Sequence, residues 1–144
     1  MRIFATAQDA EQAFYEALER GDYELMMAVW AEDEEIVCVH PGGPRLAGQG
    51  PVRESWRRIL ASGQRLRVRV GQSVTISGMM VAVHSVHEWI EVIGEDQAVP
   101  PVAATNVYLR TAGGWRMIVH HASPAPAAAA PPATPAEPPP RTVH

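Results

Sequence analysis

The sequence predicts an α+β domain in which three N-terminal helices pack on one side of a curved, mainly antiparallel sheet. Three observations carry this prediction. Apolar residues recur with helical spacing as far as about residue 60, and with a period of two from Leu66 onward. The run Ala103–Arg110 and the run Gly113–Ser123 are strand-like and joined by Thr111-Ala112-Gly113-Gly114, which makes them a closing hairpin. Finally, the second and third long strands are apolar on both faces.

Taken in order, Thr6 with Asp9 three residues on is a capping-box-like start. Ala10, Ala13, Phe14, Ala17 and Leu18 then share a helical face that ends at Gly21. Asp22 caps a second helix carrying Met26, Val29 and Trp30. Ile36–Val39 is a short apolar strand, and His40–Gly50 is a loop by its glycine and proline content. Pro51 suits the first position of a third helix, with Val52, Ser55, Trp56, Ile59 and Leu60 on one side. Leu66, Val68, Val70, Val74 and Ile76 are read as one face of a long strand, with Gly71 a bend or bulge. Met80–Ile93 is the next strand, with Val81, Val83 and Trp89 on one side and Ala82, Val86 and Ile90 on the other.

The chain has 144 residues, but Pro124–His144 is nearly all proline and alanine and holds eight of the thirteen prolines. Residues 1–123 are therefore expected to form the domain and 124–144 a disordered or polyproline-type, Pro/Ala-rich tail without a core of its own. A net charge of −4 gives no reason to expect nucleic acid, and Arg65, Arg67 and Arg69 read as the solvated face of a half-buried strand. The single cysteine fits a reducing compartment. Neither a signal peptide nor an apolar run long enough to span a membrane is present, so the expectation is a cytoplasmic protein. A sheet apolar on both faces needs two covers. The helices supply one and a second copy the other, hence a homodimer through the sheet.

Several polar residues stand on these apolar strands, and such groups need partners or a ligand. Glu88 is a carboxylate amid apolar residues, where burial would raise its pKa toward that of a general base. No spacing motif supports a metal site: His120 and His121 point to opposite faces, and His84 and His87 differ in parity. Cys38 reads as an inert buried thiol, Ser123 as a hydroxyl bonded to backbone, and Trp30 and Trp56 first of all as core.

With its helices, the stretch VWAEDEEIVCVHPGGPRLAGQGPVRESW, then ATNVYLR and GGWRMIVHHASP, in this order, the chain resembles the nuclear-transport-factor-2-like superfamily, in particular its SnoaL-like, ketosteroid-isomerase-like branch. The closing strand is also similar to that of the calcium/calmodulin-dependent kinase II association domain. The resemblance implies a cone with an internal pocket. It places Glu88 and Asn106 toward that pocket, and His84 and Tyr108 follow by strand parity. Trp30, Tyr15 and His40 are wall or rim residues on the same basis. By likeness to the association domain His121 is the pocket histidine, although parity with Trp115, Met117 and Val119 equally places it in packed core. His120 then faces solvent or the partner copy.

The chain has aspartates only at helix starts or in loops, so Glu88 would replace the aspartate base of the ketosteroid isomerases. The function expected is cofactor-independent proton transfer on an apolar, carbonyl-bearing small molecule. Glu88 or His121 would be the base, with Asn106 and Tyr108 orienting the substrate oxygen. The alternative is a non-catalytic ligand-binding or oligomerisation module.

Overall fold

The computed structural model describes residues 2–96 and 99–126. Three helices, α1 (Ala7–Arg20), α2 (Tyr23–Val29) and α3 (Gln49–Ala61), pack against one six-stranded sheet. The strands are β1 (Val37–Val39), β2 (Arg45–Ala47), β3 (Leu66–Ser77), β4 (Val81–Val92), β5 (Val102–Thr111) and β6 (Gly114–Pro124), in the order β2-β1-β6-β5-β4-β3. All neighbours are antiparallel except β1 and β6. The expected α+β architecture is present. Among the described residues no helix is long and apolar enough to cross a membrane.

Local chemistry sets the helix ends. Thr6 Oγ1 accepts from the Asp9 amide at 3.0 Å, and Gly21 closes α1 in the left-handed region at φ 65°. Asp22 Oδ1 accepts from the Leu25 amide at the start of α2. Ala10, Phe14 and Ala17 of α1, Met26 and Val29 of α2, and Val52 and Trp56 of α3 meet Tyr108 and Met117 in the main core. The rings of Tyr15 and Trp56 both stand edge-on to Phe14, with centroids 5.0 and 5.5 Å away.

Four local readings need correction. His40–Gly50 is not all loop: Arg45–Ala47 returns to pair with β1, and α3 starts at Gln49, two residues before Pro51. β3 does not keep one apolar face. A bulge between Gly71 and Val74, with Gln72 at φ 49°, inserts an extra residue opposite β4. Leu66, Val68 and Val70 therefore face the helices, whereas Val74 and Ile76 lie opposite Ser85 and Val83 on the outer face. In β6 a second shift between Val107 and Tyr108 of its partner strand leaves Ile118 unpaired, so Met117 and His120 share the inner face. Lastly, β6 runs on to Pro124, opposite Val102, and the Ala125 amide donates to Pro101 O. The expectation of a coreless tail falls, from residue 127 on, outside the described residues.

Gly114 of the closing hairpin needs to be glycine. Its φ is 97°, and a Cβ there would lie 2.7 Å from Phe4 O, where the N-terminal segment bridges to the hairpin. Arg116 reinforces this junction by donating to the carbonyls of Ala28 and Arg2.

Candidate functional site

The inner face of the sheet carries a polar cluster directly beneath α1. β4 contributes His84 and Glu88, β5 contributes Asn106 and Tyr108, and β6 contributes His120; all five are buried. The strand period of two puts His84 and Glu88 on one face, and the register sets Asn106 between His84 and His120. α1 closes the cluster with Glu11 and Tyr15, one helical turn apart.

The hydrogen bonds run in one direction. Tyr15 Oη donates to Glu88 Oε2 at 2.6 Å, so it must accept from Asn106 Nδ2, 2.9 Å away. Asn106 Oδ1 can then only accept, and His120 Nδ1 donates to it at 2.6 Å. That assigns the hydrogen of His120 to Nδ1. Glu11 Oε2 is a second hub. It accepts from His84 Nδ1 at 2.8 Å and Tyr108 Oη at 2.9 Å, with Asn106 Nδ2 at 3.5 Å. The other ring nitrogen of His84 is buried without a hydrogen-bond partner among the described residues.

Burial sets the charge states. Desolvation raises the Glu88 carboxyl from 4.5 to about 7, with nearby Glu11 adding to the rise and the Tyr15 hydrogen bond opposing it. Burial, and after it the Glu88 charge, pushes Tyr15 upward, so it stays a phenol. Tyr108 rises for the same first reason, helped by Glu11. Desolvation drives His120 from 6.5 down to about 3, with His40 and His121 adding in the same direction, so its ring is neutral at pH 7. The cluster thus pairs a carboxyl poised at neutral pH with neutral donors. That combination suits general acid–base chemistry.

Beside Glu88 the inner face becomes apolar. Val86, Val102, Ala104 and Ala122 form a separate small cluster flanked by Val70 and Ile90, all six from strands. Glu88 lies opposite both Val102 and Val70, at the border between the polar and apolar parts. On the other side, Glu11 and Tyr15 line a groove of about 440 Å³ between α1 and β3, with Gln8, Gln12, Val68 and Val70.

The structure brings together Glu88, Asn106, Tyr108, His84 and Tyr15. It does not bring in the other three expected residues. His121 is exposed on the outer face, in a recess with Ser85, Thr105, Val119 and Ser123. The bulge at Ile118 is the reason: it inverts the parity between Met117 and the histidine pair, so His120 takes the inner position. Trp30 lies in the main core, its indole N–H without a hydrogen-bond partner among the described residues. His40 is one ring removed, edge-on to Trp56, which in turn lies 6.0 Å from His120.

His40 Nε2 sits 3.0 Å from Ser55 Oγ and 3.7 Å from Cys38 Sγ. Ser55 gives its own hydrogen to Val52 O, so His40 must donate to the hydroxyl and does not activate it as a nucleophile. Burial pushes the Cys38 thiol up to about 12, and it is inert. Sequence reasoning missed Glu11 and His120. The signal for Glu11 was its position four residues before Tyr15, at the edge of the apolar stripe of α1. Among the described residues no group of three potential metal ligands converges.

Comparison with known proteins agrees with this architecture. A candidate calcium/calmodulin-dependent protein kinase type II association domain from Thiobacillus denitrificans is 40% identical over 88% of this chain and all of its own, with a TM-score of 0.80. A candidate dehydratase of the NTF2-like family from Streptomyces avermitilis is 35% identical over 81% of this chain and 91% of its own, with a TM-score of 0.74. An NTF2-like protein of unknown function from Pseudomonas putida, 16% identical with a TM-score of 0.72, shares the fold; the match covers 81% of this chain and 82% of that one. No curated protein matches. Residues 8–128 match the SnoaL-like domain, and with the cone-like helix-on-sheet arrangement they place the chain in the SnoaL-like family of the NTF2-like superfamily.

Proposed function

We propose that the domain is a small-molecule enzyme in which Glu88 moves a proton on an apolar, carbonyl-bearing substrate without a cofactor. The observation that carries the proposal is the pair formed by Tyr15 Oη and Glu88 Oε2 at 2.6 Å, with the carboxyl held near pH 7 by burial. In the reaction Glu88 removes a proton from the carbon next to the carbonyl and returns it to a second carbon, so the double bond shifts and Glu88 is regenerated. Asn106 is the best-placed donor to the developing oxyanion. One of its N–H groups goes to Tyr15, and among the described residues the other makes only the long 3.5 Å contact with Glu11. Tyr108, a phenol beside Glu11, is a positioning residue through that contact. The small apolar residues Val86, Val102, Ala104 and Ala122 next to Glu88 suit the carbon skeleton of such a substrate.

The test uses a small cyclic β,γ-unsaturated ketone, followed by the ultraviolet absorbance of its conjugated isomer. Glu88→Gln keeps an acceptor for Tyr15 but has no base, and is expected to slow isomerisation by about tenfold or more. A rate indistinguishable between wild type and variant, with both folded, would remove the proton-transfer role.

A second reading, an assembly module, is favoured by one observation: the outer face exposes Val74, Ile76 and Val81 along the far half of the β3–β4 hairpin, at 63, 64 and 41%. The 40% identical relative named for an association domain points the same way. In this reading two copies pair through that face. Sedimentation should give a dimer for the wild type and a monomer for Val74→Asp with Ile76→Asp. A monomeric wild type would end this reading and leave the enzyme reading intact.

A further inference from the structure

We propose that the open edge of β3 is a docking site for an acidic, extended peptide segment, which would add to the sheet as a further strand. Among the described residues β3 is the last strand of the sheet. Its residues alternate in where their backbone groups point. The Ile93 amide donates to Arg65 O, so the odd-numbered positions before the bulge bond to β4. The Val68 amide instead donates to Glu19 Oε1 of α1 at 2.8 Å. By the antiparallel pattern, the N–H and C=O groups of Leu66, Val68 and Val70 face outward, and among the described residues only the Val68 amide has a protein acceptor.

Charge singles out the occupant. The protein carries −4 overall, yet a groove of about 630 Å³ along this edge is lined by Arg20, Arg65, Arg67 and Arg69, with Leu66, Val68, Ile93 and a lone carboxylate, Glu19. Arg20 is paired with Glu16, and Arg67 lies 3.9 Å from Glu91. Arg65 and Arg69 have no carboxylate partner among the described residues. Arg67 and Arg69, opposite Glu91 and Trp89, project to the outer face at every second position. An added strand with carboxylates at alternate positions would set each one across from an arginine. Its backbone would meet the outward groups of Leu66 and Val70. Glu19 already occupies the Val68 amide much as an incoming carbonyl would, and it puts a negative charge on the edge. It acts as an internal competitor for the site. Arginines on an edge can also serve only to repel other strands, and the experiment separates the two roles.

The probe is a dye-labelled decapeptide of alternating glutamate and valine, titrated into the full chain and read by fluorescence anisotropy. Controls are the same peptide with lysine for glutamate, the same peptide N-methylated at alternate amides, and inorganic phosphate as competitor. Saturable binding is expected for the first peptide alone. Arg65→Ser with Arg69→Ser should weaken it by about fivefold or more. Glu19→Ala, which frees the Val68 amide and removes the competing charge, should strengthen it by about threefold. Several results would overturn the proposal: no saturable binding, equal binding of the N-methylated peptide, displacement by phosphate, or loss of affinity in Glu19→Ala. So would self-association that needs Arg65 and Arg69, since the edge would then belong to a second copy.

Discussion

Replacing Glu11 with alanine will cost about 3 kcal/mol of folding stability, more than its position on the rim of α1 suggests. Its Oε2 accepts hydrogen bonds from His84 Nδ1 and Tyr108 Oη, both on buried side chains. Truncation leaves these donors facing a gap, with no other acceptor for them among the described residues. The loss is one of desolvation already suffered and no longer offset, so it should be recoverable by removing the stranded donor. Tyr108→Phe in the Glu11→Ala background is therefore expected to restore part of the loss, whereas Tyr108→Phe alone destabilises. Urea denaturation of the four proteins gives the coupling, expected at about 1 kcal/mol or more. If Glu11→Ala stays within about 0.5 kcal/mol of wild type, the contact is decorative.

The pH dependence of stability will be altered in opposite senses by two single substitutions within the same cluster. For Glu88 the folded pKa, about 7, lies above the ordinary 4.5. Its contribution is complete below pH 4.5 and is lost as the pH rises toward 7, because the unfolded chain ionises first. For His120 the folded pKa, about 3, lies below the ordinary 6.5. Its contribution is complete above pH 6.5 and is lost as the pH falls toward 3. Between pH 4.5 and 6.5 one group gains a proton on folding and the other loses one, so their slopes cancel in the wild type.

Glu88→Gln removes one slope. Relative to wild type, its stability should climb by up to about 3 kcal/mol between pH 4.5 and 7. His120→Gln should show the mirror image, with a relative loss as pH rises through the shared window. Thermal melts in a series of buffers measure both. A Glu88→Gln curve running parallel to wild type throughout would show that the carboxyl is not held near 7, and the case for a base poised at neutral pH would fall with it.

Where the fold was legible in the sequence, the reason is local. Thr6, Gly21 and Asp22 satisfy helix ends by contacts within three or four residues, and these could be named from spacing alone. The inner-face set on β4 and β5 was equally readable. Strand alternation runs unbroken from Ala82 to Ile90 and from Val102 to Tyr108, so Glu88, His84, Asn106 and Tyr108 fall together.

Both parity errors have a single physical cause. A bulge adds one residue, and every side chain beyond it changes face. Glycine at residue 71 hinted at the bulge in β3, but nothing local marked Ile118 in β6, and the choice between His120 and His121 turned on it.

By itself, then, the sequence determined the class of fold, the helix boundaries set by caps, and the residues of β4 and β5 that share the inner face. Each of these follows from short-range periodicity. Only the tertiary structure decided which histidine enters the cluster, that Glu11 crosses from α1 to gather donors from β4 and β5, and that Tyr15 meets Glu88. Those contacts join residues as far as 97 positions apart, and their existence depends on how a helix lies across a bulged sheet, which no local pattern encodes.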